Sequence, residues 1–196
     1  MNIVKNIGVI VGGMLFGIYL FVGYDNIINK DVTSSGLVPM YTSLDELSNE
    51  SNIIVKASVL KDSKDIEKSM AVGKDATLFK DHSLSARLYQ VKIEEVLKNQ
   101  TDLKLKQNTN IELIQKLGIS NKGQFGPFED SGLKLEEGTY LFYLIHFESQ
   151  IFGKKVFMPK TLKHIYKLNE STGEYENITG DTLEIVKLED AVNASE

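Results

Sequence analysis

The sequence predicts a mainly β domain behind one N-terminal transmembrane helix. Three observations carry this: an uncharged run from Ile7 to Tyr24, several short segments in which apolar and polar residues alternate, and two long polar stretches between those segments. The expected boundaries are an anchor over residues 1–24, a tether over 25–41 and the β domain over 42–196.

The uncharged run, "IGVIVGGMLFGIYLFVGY", would span about 27 Å as a helix, close to the thickness of a hydrocarbon core. Tyr24 stands where an interfacial aromatic belongs, and Lys5 precedes the run while Asp25, Lys30 and Asp31 follow it. That small bias favours a cytoplasmic N-terminus. Signal-peptide cleavage wants small residues at the −3 and −1 positions. Phe21-Val22-Gly23 and Val22-Gly23-Tyr24 both fit that badly. A buried core helix would show a polar stripe. The expectation is therefore a retained single-pass anchor, contacting membrane lipid, with the C-terminal domain extracytoplasmic. Gly8 and Gly12, and Gly13 and Gly17, are spaced as in close-packing membrane helices. The two pairs lie on different helix faces, and glycine is common in such helices anyway.

Composition narrows the function. There is no cysteine, which excludes a disulfide framework, a thiolate metal site, a catalytic thiol and a lipidation cysteine. The formal net charge is −5, so there is no electrostatic footprint for nucleic acid.

Along the expected β domain, Ser43 and Glu46 match a capping box, with Leu44 and Leu47 three apart, so a short helix starts there. Ile53, Val55, Ala57 and Val59 then alternate as a half-buried strand. Residues 61–84 are charged and aperiodic and read as a disordered or mobile loop. Tyr89, Val91 and Ile93 resume the alternation, which slips by one residue at Glu94-Glu95 so that Val96 continues the apolar face. A β-bulge produces that slip. "TNIELIQ" is a third strand, and residues 116–137 read as a second long loop. "GTYLFYLIHF" is apolar on both faces, as in a central covered strand. "FMPKTLKHIYKLN" and "GEYENIT" suggest a hairpin turning at "ESTG". Asp181 would cap a final helix carrying Ile185, Leu188 and Val192 on one face. Five strands with a short helix at each end point to a small OB-like barrel, since closure removes exposed strand edges. An open antiparallel sandwich is the alternative.

The order "SNIIVKASV", "LYQVKIEEVLKN", "LEEGTYLFYL", "YKLNESTGEY" resembles small single-pass envelope proteins of Gram-positive bacteria. It is also similar to the netrin/tissue-inhibitor module, an OB barrel, over roughly residues 50 to 180. The resemblance implies the barrel fold and a binding role. Protease inhibition in that module depends on cysteines, which this chain lacks.

Motifs for chemistry are sparse. Asp81, His82 and Ser83 are neighbours on one segment, whereas a Ser-His-Asp triad converges from separate elements. His146, Glu148 and His164 are the one set that alternation could bring together as metal ligands, and a metal-dependent envelope hydrolase is the alternative function they define. The pairs Asp45-Glu46, Glu94-Glu95, Glu129-Asp130 and Glu136-Glu137 read as solvated surface. No catalytic residue, metal or cofactor is assigned. Phe125 and Phe128, in the glycine- and proline-bearing "GQFGPFED", are the candidate contact for a protein or envelope-polymer partner.

Overall fold

Alternation shapes this chain into long strands, and one of them is shared by two neighbours. The computed structural model describes residues 43–73, 76–128, 131–180 and 185–194. The expected anchor (1–24) and tether (25–41), the Glu129-Asp130 pair and the Asp181 cap lie outside these residues. Among the described residues no helix is long and apolar enough to cross a membrane.

The described fold is mainly β. Helix α1 (Leu44–Asn49) leads into β1 (Ile53–Ser69), β2 (His82–Asn99), β3 (Asn110–Asn121), β4 (Gln124–Pro127), β5 (Gly138–Ser149) and β6 (Lys154–Met158). A 3-10 turn (Leu162–His164) precedes β7 (Ile165–Asn169), β8 (Glu174–Asn177), β9 (Ile185–Val186) and helix α2 (Leu188–Asn193). Pairings run β1–β2–β3–β6–β5 and return to β1, and β7, β8 and β9 extend the sheet from β5. All are antiparallel except β3–β6, which is parallel and rests on the single pair Leu113–Phe157. The ring of strands is thin at that point and is not a clear barrel.

Inside the ring lie Ile53, Val55, Ala57 and Val59 of β1 with Tyr89, Val91 and Ile93 of β2. Ile111 and Leu113 of β3 and Tyr140, Phe142 and Leu144 of β5 complete that layer. Burying each large apolar side chain stabilises the fold by about 1.5–3 kcal/mol. The intervening residues Ile54, Leu141 and Tyr143 point the other way. They pack with Tyr166, Tyr175 and Val186 under Leu47 of α1 and Ala191 of α2. Strand β5 is thus covered on both faces, as its unbroken apolar run requires. A third cluster joins Ala86, Ile114, Val156 and Met158.

The expected bulge is present. Ala57 pairs with Ile93 and Lys56 with Glu95, which leaves Glu94 as the extra residue. A second shift sets Val55 opposite Val96 and Ile54 opposite Lys98, leaving out Leu97. The Ser43 cap also holds, with its hydroxyl accepting from the Glu46 backbone N–H at 3.2 Å. The "ESTG" hairpin forms between β7 and β8.

Four expectations are corrected. Residues 61–69 and 82–84 are strand, because β1 continues past a bulge at Val59/Ser63 and pairs with β2 as far as Ser69–Ser83. Within 61–69 only Ile66 signals an apolar face, and charges dominate the rest, as suits a strand edge open to water. Residues 116–121 and 124–127 form a hairpin whose turn, Lys122-Gly123, has φ of 48° and 81°. Two successive positive φ values are what a type I′ turn demands, and glycine supplies one of them without strain. Ile185 belongs to β9, not to the last helix, which starts at Leu188. Nine strands are described, not five.

Phe142 is wholly buried in the inner layer, so Phe142→Ala is expected to lower the unfolding free energy in urea by about 3–5 kcal/mol. Its neighbour Tyr143 is equally buried, but its hydroxyl has no hydrogen-bond partner among the described residues. Tyr143→Phe removes that unsatisfied group and should leave stability unchanged or raise it by about 1 kcal/mol in the same titration.

Candidate functional site

A two-residue turn at the end of a long antiparallel arm presents the aromatic pair singled out in the sequence. Phe125 stands on β4 opposite Ser120. It is 54% exposed, a high value for so large an apolar side chain. Its ring lies over Gly118 of β3. A Cβ on that glycine would fall 2.6 Å and 2.7 Å from ring atoms of Phe125 and 2.5 Å from the Gly126 carbonyl oxygen. Glycine therefore lets the ring approach the sheet closely, an arrangement that shields edge backbone and helps fix register. Phe128 sits at the far end of β4, half-buried, with its N–H donating to the Leu117 carbonyl at 2.9 Å. The Lys116 ammonium is 5.8 Å from the centre of its ring. Burial pushes that amine below its ordinary value. The structure thus puts both aromatics on one hairpin, Phe125 open and Phe128 engaged.

The sheet face beside Phe125 is small and polar. Ser83 pairs with Ser120, and Ser85 with Gly118. The Ser83 hydroxyl donates to Glu67. Arg87 grips Asp65 through two hydrogen bonds of 2.6 Å and 2.8 Å. That bidentate bond holds the Asp65 carboxyl below its ordinary range. The segment that follows Phe128 is tied down from below. Tyr89 Oη donates to Gln115 Oε1 at 2.9 Å and accepts from the Leu135 N–H at 3.0 Å. Gln115 Nε2 donates to the Leu133 carbonyl at 2.8 Å.

The nucleophile and metal sets do not assemble. Ser83 turns to Glu67, while His82 packs edge-on against Phe79 with ring centres 5.6 Å apart. Neighbouring strand residues face opposite sides, so the three cannot act as a triad. His146 is buried, and its ring rests on Phe157 at 4.6 Å. Its backbone is bracketed by Asn52, whose Oδ1 accepts from the His146 N–H at 2.8 Å and whose Nδ2 donates to the His146 carbonyl at 3.0 Å. Glu148 is exposed, opposite Lys155. His164 is fully buried in the 3-10 turn, with Nδ1 3.2 Å from Thr161 Oγ1. Among the described residues no three His, Asp or Glu side chains converge where a metal could be held. The reading of His146, Glu148 and His164 as one metal site is therefore corrected.

Two polar arrangements were not legible in advance. Lys98 Nζ, nearly buried, donates to the Ser48 carbonyl at 2.7 Å and lies 3.3 Å from Ser48 Oγ. An amine beside a serine hydroxyl is one form of activated nucleophile. Here Ser48 is 1% exposed, and the closest partner of the amine is a carbonyl at the end of α1, so the lysine serves as a helix cap. The second is the bulged Glu94. Its carboxylate accepts from Ser58, and from Thr139 Oγ1 at 3.3 Å, and lies 3.3 Å from Lys56 Nζ. Burial pushes Glu94 up, but the hydroxyl and ammonium bonds outweigh burial and hold it below its ordinary value. One carboxylate thus cross-links β1, β2 and β5. Beside it runs a groove of about 410 Å³ lined by Glu94, Glu95, Val96, Leu105, Lys106 and Gln107. The paired carboxylates Asp45-Glu46 and Glu136-Glu137 are exposed, as expected of surface charge. Glu95 is exposed too, but its partner Glu94 is half-buried and bonded.

Compared with family models, curated proteins and solved structures, the chain matches none.

Burial, reinforced by nearby Lys160, pushes the His164 imidazole down to about 3 from an ordinary 6.5. Between those values the unfolded chain binds a proton that the folded chain does not. Stability therefore falls as pH drops through that window, by about 1.4 kcal/mol per pH unit. Urea midpoints should decline between pH 6.5 and 5 in the native chain, and less in His164→Gln; equal declines would remove His164 as the cause. Gly118→Ala forces the Phe125 ring or the β4 backbone to move, and should lower the unfolding free energy by at least about 1 kcal/mol in the same assay.

Proposed function

We propose that residues 42–196 are a partly open OB-like barrel serving as a non-enzymatic binding or assembly module of a bacterial cell envelope. In this reading residues 1–24 hold it to the membrane as a single-pass signal-anchor, with the domain on the extracytoplasmic side. The observation that carries the binding role is the exposed Phe125, laid on Gly118 at the end of the β3–β4 hairpin. A large apolar ring left open on this face, where no catalytic set assembles among the described residues, is available to a partner. Phe128 and Lys116 support the hairpin from behind.

The strand order supports the barrel. Five strands pair as β1–β2–β3–β6–β5 and back, with one weak parallel closure, as expected of a partly open five-stranded Greek-key barrel. Such barrels bind through the face of their second and third strands and the loops flanking it. Here the β1–β2 and β5–β6 connections meet, since a Cβ on Gly73 would lie 2.5 Å from Gln150 Oε1. The uncharged Ile7–Tyr24 run supports the anchor. The partner is a protein or an envelope polymer; the acidic charge disfavours nucleic acid.

Protease added to intact cells should degrade the domain without lysis; a domain that survives until the cells are broken overturns the topology. Pull-down of the detergent-solubilised full chain tests the surface separately. Phe125→Ser is expected to reduce recovery of the bound partner at least tenfold under conditions where its urea transition shows the variant still folded, and unchanged recovery would displace the contact from this hairpin.

A further inference from the structure

We draw no further inference here: the strongest candidate, the flat face of the β2–β3–β4 arm where Phe125 lies on Gly118 beside Ser83, Ser85 and Ser120, belongs to the contact surface already proposed, and nothing in the structure shows what chemistry covers it.

Discussion

Strand β1 pairs on both edges over its first half and on one edge over its second, and the rest of the sheet is arranged around that change. From Ile53 to Val59 it lies between β2 and β5, so its backbone groups are satisfied on each side. There its side chains divide between two apolar layers, Val55 and Ala57 within the ring and Ile54 beneath the helices. At Val59 the register with β2 shifts, β5 has reached its first residue, Gly138, and β1 runs on with β2 alone. The bulged Glu94 fastens the shared half by bonding Ser58 and Thr139, which face each other across β1 and β5.

The second half of β1 has no such cover, and its composition fits that. Lys64, Asp65, Glu67 and Lys68 put charge along the free edge, which discourages pairing with other chains. The arm gains support from Ile66 against the Ala86–Ile114–Val156–Met158 cluster and from the Arg87–Asp65 bond. At the opposite edge β4 is short and contains Gly126 and Pro127, both poor templates for a further strand. Edge protection of this kind makes the exposed Phe125 more telling. Both edges of the arm are poor templates for pairing, while the Phe125 ring is held open on a glycine.

The sequence disclosed whatever burial imposes periodically. The Ile53–Val59 alternation, the doubly apolar Tyr140–Leu144 run and the slip at Glu94 were all readable because each apolar residue lies on a face that must be covered. The outer arm was unreadable for the same reason. From Lys64 to Ser69 only Ile66 reports a buried face, and strand structure there is set by pairing with β2 across the sequence. The β3–β4 turn was hidden because Asn121-Lys122-Gly123 places glycine second in the turn beside a lysine, and lysine rarely adopts positive φ. Phe125 and Phe128 were legible as aromatics on a glycine- and proline-bearing segment. Their setting was not, since it rests on Gly118, which lies on the neighbouring strand seven residues earlier. Lys98 reaching Ser48 and Asn52 bracketing His146 join residues far apart in sequence, and no local pattern announces them.

The shared pairing of β1 is tested most directly by residue-resolved amide hydrogen exchange. With a neighbour on each edge, successive amides from Ile54 to Ser58 should all be slow, whereas from Lys64 to Lys68 only every second amide should be slow. Alternating protection in the first half, or unbroken protection in the second, would contradict the pairing on which this account of the fold rests.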